Sequence, residues 1–502
     1  MNYTAHNPAT REPLSPTYSD ATLAEINAAG EAAAKVTDFF ASTSAENRAL
    51  LLEAIADEIM ARSAALIERA NLETGLPTAR LEGERNRTTG QMRAFAALLR
   101  EGSWVDARID PALPDRKPIP RPDLRRMLRG IGPVAVFGAS NFPFAYSVAG
   151  GDTASALAAG NPVIVKAHPA HPGTSDITAE AVRAALKKIG LPAGIFGMVH
   201  GTSPEVSLAL VRHPAITAVG FTGSTRAGRA LFDAAAARPV PIPVFSEMSS
   251  VNPVIILPQA LEQRGDAIAE ALVASATLGA GQFCTKPGLV FGVAGPAWDR
   301  FAASVGGRAT DVKPAVMLHA GIRASYDKGV AELQNVEWLG KGFANVARVP
   351  ADDFRARPEL AHEIFGPFSL LITARDVTEL QSLLEPLEGQ LTASVHGTPA
   401  ELASAGDLIT VLTRKAGRLI CNGFPTGVEV SPAMNHGGPY PATTDVRFSA
   451  VGTSAILRFA RPVCYQSFPA ALLPSALQDS NPLGLLRLVD GKYTRDPVGA
   501  AS

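Results

Sequence analysis

The sequence predicts an α/β protein built from parallel βαβ units, because short apolar strands alternate with helices along its middle. Three runs carry this reading: Pro133-Val134-Ala135-Val136-Phe137-Gly138, Pro162-Val163-Ile164-Val165-Lys166 and Ala218-Val219-Gly220-Phe221-Thr222. A small-residue helix over 147–159 separates the first two, and a helix over 174–189, stopped by Gly190, follows the second. With 502 residues the chain exceeds what one simple core accommodates, so two or three domains are expected.

The elements follow in chain order. Residues 22–99 read as helices, rich in Ala, Leu, Glu and Arg, with apolar residues recurring at three and four, as in Leu50, Leu51, Ala54, Ile55 and Ile59. Prolines 111, 114, 118, 120 and 122 then exclude helix and suit an arm reaching out of the domain. After the three strands, residues 240–247 and 254–257 are further strand-like runs. An Ala-rich helix over 266–278 leads through a glycine-rich bend to a strand at 289–293. Strands at 370–372 and 418–422 continue this second α/β set, with a weaker one at 389–395. The tail from Gly423 is rich in Pro, Gly and Thr, and 461–465 is a late extended piece.

Bulk properties exclude several classes. A net charge of −1 leaves no basic field for nucleic acid, and the arginines near 121–129 are interleaved with Asp110, Asp115 and Asp123. Cys284, Cys421 and Cys464 cannot all pair and show no metal-ligand spacing, so no metal is expected and a reducing cytoplasm fits. The start lacks a basic-then-apolar signal pattern, and no apolar run reaches the ~18 residues of a membrane span.

Chemistry concentrates at a few positions. In the bend Leu278-Gly279-Ala280-Gly281-Gln282-Phe283-Cys284 the glycines permit a sharp turn, from which a cysteine can present its sulfur to a cleft. Taken alone, Cys284 is either a nucleophile activated by its surroundings or a small buried hydrophobe. The turn Gly223-Ser224-Thr225-Arg226-Ala227-Gly228 joins a strand to a helix, where backbone N–H groups bind phosphate, although it matches neither dinucleotide fingerprint nor P-loop. Asn141 follows a strand end and can donate to an oxyanion or simply cap a turn. Lys166 ends the next strand, within reach of a ribose or phosphate. Glu247, in an apolar context, reads as a base with a raised pKa or as a satisfied glutamate. Glu363-Ile364-Phe365-Gly366-Pro367 offers a carboxylate for ribose hydroxyls and a ring to support a flat heterocycle, or else a loop with a core phenylalanine.

In order and spacing, Asn-Phe-Pro, Val-Lys, Phe-Thr-Gly-Ser-Thr-x-x-Gly, a glutamate, Gly-Gln-x-Cys and Glu-Ile-Phe-Gly-Pro closely resemble the aldehyde dehydrogenase superfamily over nearly the whole chain. The resemblance implies a Rossmann-like cofactor domain (1–111 and 131–246), an α/β catalytic domain (247–440), and an oligomerisation arm with C-terminal tail (112–130 and 441–502). It implies a homodimer or homotetramer acting on a small-molecule aldehyde. Cys284 would be the nucleophile, Asn141 with the Cys284 N–H the oxyanion hole, and Glu247 the base that activates water on the thioester. Lys166, His168, Gly223, Ser224, Gly228, Glu363 and Phe365 would hold the cofactor.

Finer segments narrow the likeness. Ala139-Ser140 replaces the usual Pro-Trp before Asn141, and Ser249-Ser250 replaces the usual Gly-Gly. The stretches 137–143, 149–160 and 166–173, with Asn422-Gly423-Phe424-Pro425-Thr426-Gly427-Val428 and His436-Gly437-Gly438-Pro439-Tyr440-Pro441, look like the 2,5-dioxopentanoate (α-ketoglutaric semialdehyde) dehydrogenase branch. A related branch oxidises long-chain fatty aldehydes. A cysteine esterase or acyl-transfer enzyme is the alternative of another class, distinguished by turnover without cofactor. NAD-preferring relatives commonly carry a glutamate three residues after the lysine; here that position is Pro169, so NADP is the expected cofactor with NAD also used. Phe142, Tyr146, Phe283 and Phe448 are expected to line the substrate tunnel beside a helix starting at Asn-Phe-Pro, with Arg458 or Arg461 as candidates for a substrate carboxylate.

Overall fold

The computed structural model describes residues 1–499. Its opening helices, Leu23–Ser42, Ala45–Ala61, Ser63–Thr74 and Thr78–Glu101, form where the three-and-four apolar repeat runs. The first is fixed at its start by a capping box between Thr22 and Glu25. Leu51, Leu52, Ile55 and Phe95 from these helices pack against Val134, Val136, Val163 and Val165. The alternate strand residues Ala135, Phe137 and Ile164 face a second core with Val206, Leu210 and Leu231. Period-two alternation therefore buries the central strands on both faces.

Those strands belong to a five-stranded parallel sheet in the order Phe196–Val199, Val163–Lys166, Val134–Phe137, Ala218–Thr222, Val244–Glu247. Strand order reverses beside Val134–Phe137, and such a switch point opens a crevice at the carboxyl ends of the strands. Gly138–Asn141 and Gly223–Ser224 leave the sheet there.

The second sheet has seven strands in the order Glu337–Gly340, Asn345–Pro350, Phe368–Ala374, Leu289–Val293, Val254–Ile256, Gln390–His396, Ala416–Cys421. All pairings are parallel except that of the Glu337–Gly340 edge. A third sheet joins Ala460–Gln466, Leu124–Gly130, Arg108–Asp110, Arg487–Val489 and Lys492–Thr494. Leu124–Gly130 contains no proline and so pairs on both sides, with Ala460–Gln466 and Arg108–Asp110.

Two expectations need correcting. The helix read over 147–159 is Gly151–Ala158, and Asn141 to Gly150 form turns, so no helix starts at Asn-Phe-Pro. A Cβ on Gly150 would lie 2.5 Å from the Ala145 carbonyl oxygen, which shows how tightly these turns fold. The pattern reading also missed the hairpin Asn2–His6 with Pro13–Ser19, and the strands Phe196–Val199, Glu337–Gly340 and Asn345–Pro350.

Candidate active site

Beyond Leu278, which caps the Pro258–Thr277 helix, come three successive residues with positive φ, Gly279 (57°), Ala280 (59°) and Gly281 (66°). They turn the chain so that Cys284 sits between helix and strand rather than inside either. Gly281 packs against the Gly366–Pro367 backbone, where a Cβ would lie 2.4 Å from Gly366 C. The loop is braced from below: Asn252 Nδ2 donates to the carbonyls of Cys284 and Lys286, each at 2.9 Å. Lys286, wholly buried, donates its Nζ to the carbonyls of Phe368 (2.8 Å) and Ile364 (3.2 Å). The cysteine bend and the 363–367 turn are thus one tied unit.

Two buried groups, Glu247 and His436, converge on the sulfur. His436 Nε2 lies 3.5 Å from Cys284 Sγ and 2.9 Å from Glu247 Oε1. Ligand atoms of Glu247, Cys284 and His436 all lie within 4.8 Å of one another. The ring is held by its backbone, with His436 N–H donating to Ser449 Oγ at 2.9 Å and Ala450 N–H donating to the His436 carbonyl at 2.8 Å. Burial pushes the Cys284 thiol well above its ordinary range, and the nearby Glu247 charge adds to this.

The expectation of a raised Glu247 pKa is corrected. Burial alone would raise it, but the charge and hydrogen bond of His436 outweigh burial and hold the carboxyl below its usual value. His436 itself was visible only as part of a motif, with no role attached. Asn141 Nδ2 donates one hydrogen to the Gln282 carbonyl at 3.0 Å, which leaves its second hydrogen for a ligand in the cleft that Cys284 also lines.

A cleft of about 670 Å³ runs from Cys284 to the crevice of the five-stranded sheet. Asn141, His168, Gly223, Ser224, Glu363 and Phe365 line it, bringing together residues spread across the sequence. The cleft fits a dinucleotide: the Thr225–Ala236 helix, capped by Ser224, presents its N-terminus there. Burial raises the Glu363 carboxyl, while Lys286 and hydrogen bonds from Ser249 and Ser250 oppose the rise.

Three cofactor expectations change in detail. Gly228 does not line the cleft; it lets the helix approach the sheet, since a Cβ there would lie 2.6 Å from Met248 Sδ. Lys166 is buried at its strand end and is not among the lining residues. Burial and the charges of His171 and Lys166 hold His168 far below the usual histidine range, so its ring is neutral, and its Nδ1 accepts the Ala170 N–H at 3.1 Å.

On the other side of Cys284, Phe142, Tyr146 and Phe283 form an aromatic cluster. Ring centres of Phe142 and Tyr146 are 5.2 Å apart, and those of Phe142 and Phe283 are 5.1 Å apart, both edge to face. Phe448 does not join them; it packs on Phe245 at 5.4 Å. Nor do the expected arginines reach this cluster. Arg458 is buried in an ion pair with Asp152 at 2.7 Å, and Arg461 lies on the strand opposite Arg129 in the third sheet. Sequence reading missed Arg80 and Arg87, whose guanidinium groups lie 5.0 Å from the Phe142 ring and 5.2 Å from the Tyr146 ring. The signal was present as Arg80, Glu84, Arg87 and Gln91, polar residues at one-face helical spacing.

Known proteins resemble this chain in sequence and in fold. The model of the "Aldehyde dehydrogenase family" matches residues 1–319. Alpha-ketoglutaric semialdehyde dehydrogenase 2 of Azospirillum brasilense is 53% identical, covering 97% of this chain and 95% of its own length. Alpha-ketoglutaric semialdehyde dehydrogenase of Acinetobacter baylyi is 48% identical, covering 97% and 94%. Among solved structures, the NADP-dependent glyceraldehyde-3-phosphate dehydrogenase of Bacillus halodurans, complexed with NADP, superposes with a TM-score of 0.79 at 20% identity, covering 93% of this chain and 95% of that one. Lactaldehyde dehydrogenase of Escherichia coli gives 0.79 at 21% identity, with the same coverage. At those identities the structures speak for the fold alone. The two full-length relatives and the family match show that this chain belongs to the aldehyde dehydrogenase family, as an oxidoreductase acting on an aldehyde with a nicotinamide cofactor.

Proposed function

We propose that this aldehyde dehydrogenase oxidises 2,5-dioxopentanoate to 2-oxoglutarate. The observation that carries the substrate is the identity of 53% and 48%, over almost the full length, to two α-ketoglutaric semialdehyde dehydrogenases. Phe142, Tyr146 and Phe283 supply an apolar wall beside Cys284 for the carbon chain of the aldehyde.

In this reading Cys284 gives up its thiol proton to water in the cleft, His436 holds the Glu247 carboxylate in place for the later hydrolysis, and the sulfur attacks the aldehyde carbon. The carbonyl oxygen becomes an oxyanion that accepts hydrogen bonds from Asn141 Nδ2 and the Cys284 N–H. A bound nicotinamide dinucleotide supplies the hydride acceptor. Loss of hydride from the thiohemiacetal carbon leaves a thioester on Cys284. Glu247 then takes a proton from water, the hydroxide adds to the thioester, and the acid departs as sulfur regains a proton. Glu363 would hold a ribose, and Gly223 with Ser224 the pyrophosphate.

NADP is preferred and NAD is also used in this reading, because position 169 carries a proline and no carboxylate to repel a 2′-phosphate. The third sheet, with Ala460–Gln466 at its edge, serves as the oligomerisation arm of a homodimer or homotetramer. Among the described residues no helix is long and apolar enough to cross a membrane, which is compatible with a cytoplasmic enzyme.

Incubation with 2,5-dioxopentanoate and NADP tests the proposal. It predicts equimolar reduced nicotinamide, by absorbance, and 2-oxoglutarate, by mass spectrometry. Unconsumed aldehyde under conditions where another aldehyde is oxidised would contradict it.

A further inference from the structure

Arg80 and Arg87 lie against the aromatic wall beside Cys284, Arg418 is near enough to share charge interactions with Cys284 and Tyr146, and among the described residues none of the three has a carboxylate within ion-pair distance. Arg80 and Arg87 stand two turns apart on one face of the Thr78–Glu101 helix, and Arg418 comes from the Ala416–Cys421 strand. Arg80 is sandwiched, its guanidinium 5.0 Å from the Phe142 ring centre and 4.9 Å from that of Phe283, and its Nη2 donates to the Asn141 carbonyl at 2.7 Å. Arg418 is fixed by donating Nη1 to the Gly427 carbonyl at 3.1 Å and Nη2 to the Pro425 carbonyl at 2.5 Å. Arg87 is the least committed: its Nη2 contact with Tyr146 Oη is long, at 3.4 Å.

Arg80 Nη1, Arg87 Nη1 and Arg418 Nε are all buried and without a hydrogen-bond partner. Glu84, between the two helical arginines, gives its Oε1 to the N–H groups of Phe144 (2.8 Å) and Ala145 (3.0 Å). One carboxylate, its Oε1 engaged with backbone and its Oε2 without a hydrogen-bond partner, thus faces the two helical guanidinium groups. Buried cations with idle donors are costly unless an anion arrives. The cluster is also next to the chemistry. Arg87 lies over Tyr146, whose ring centre is 6.5 Å from that of His436, the residue in contact with Cys284 Sγ. The charges of Arg87 and Arg418 both act on the Cys284 thiol and the Tyr146 hydroxyl. In 2,5-dioxopentanoate four carbon–carbon bonds of ~1.5 Å separate the aldehyde from the carboxylate carbon, a span of roughly 5 Å.

We infer that Arg87, through both Nη atoms and flanked by Arg418 and Arg80, binds the far carboxylate of the substrate, so that the site selects short aldehydes bearing a terminal carboxylate. This rests on the reading of the chain as an aldehyde-acid dehydrogenase. A planar guanidinium fork suits a carboxylate bidentately, and a buried hydrogen-bonding site discriminates far more than an apolar one.

The test compares wild type, Arg87→Met and Arg87→Lys on three five-carbon aldehydes: 2,5-dioxopentanoate, 5-oxopentanoate and pentanal. Arg87→Met should lower the ratio of kcat/KM for either acid to that for pentanal by ~100-fold, mainly through KM, with Arg87→Lys recovering part of the loss. An equal loss on all three aldehydes would overturn the inference and make Arg87 structural. If wild type prefers 5-oxopentanoate to 2,5-dioxopentanoate while both acids lose against pentanal, the carboxylate site stands and the substrate reading fails. Should Arg87→Met not fold, wild type alone decides: 2-oxoglutarate should inhibit pentanal oxidation competitively, and less so as salt rises. Absence of that inhibition would overturn the site.

Discussion

His436 donates its Nε2–H to Glu247 Oε1 at 2.9 Å in a place where both side chains are almost fully removed from solvent. That bond keeps a buried carboxylate ionised, because it opposes the penalty of burial. Since the folded pKa lies below the usual carboxylate value, the pair contributes stability above that value, and the contribution is lost as pH falls through the folded pKa. His436→Leu should therefore move the acid limb of the kcat profile to higher pH and lower turnover at neutral pH by ~10²-fold. His436→Gln, which can still donate, should recover part of it. An unmoved acid limb in His436→Leu would show that His436 does not set the charge of Glu247.

Cys284 and Glu247 separate kinetically. Cys284→Ala should abolish aldehyde oxidation while cofactor affinity stays within a few-fold, because the covalent route is gone. Glu247→Gln should keep a pre-steady-state burst of reduced cofactor while steady turnover falls by ~10²–10⁴. Loss of the burst would place Glu247 in acylation as well.

Gly281→Ala tests the loop geometry. Its Cβ would enter the Gly366–Pro367 backbone at a left-handed residue. The variant should lose ~2 kcal/mol or more of stability, read by denaturant unfolding, along with activity. Wild-type behaviour would mean that the cysteine bend and the cofactor turn are not rigidly tied.

Much of this was legible in the sequence, and the failures have physical causes. The strand at Val134–Phe137 and the Gly223 turn were readable because fully buried parallel strands appear as apolar runs ended by glycine. Phe196–Val199 has the same setting, but at four residues with a glycine inside it carries little pattern. Asn345–Pro350 was hidden by an arginine and a terminal proline. Cys284, Asn141 and Glu247 stood in motifs, whereas the pairing of Glu247 with a residue 189 positions away could not be read locally. Arg458 and Arg461 were placed by proximity in sequence to the tail, while the arginines at the aromatic cluster come from a helix and a strand on opposite sides of the chain.

The most direct test of the central claim measures 2,5-dioxopentanoate, hexanal and decanal side by side at equal NADP. The account predicts kcat/KM for 2,5-dioxopentanoate at least ~10-fold above either alkanal, about 1.4 kcal/mol of transition-state binding. A rank order with decanal first would contradict it and make the chain a fatty-aldehyde dehydrogenase.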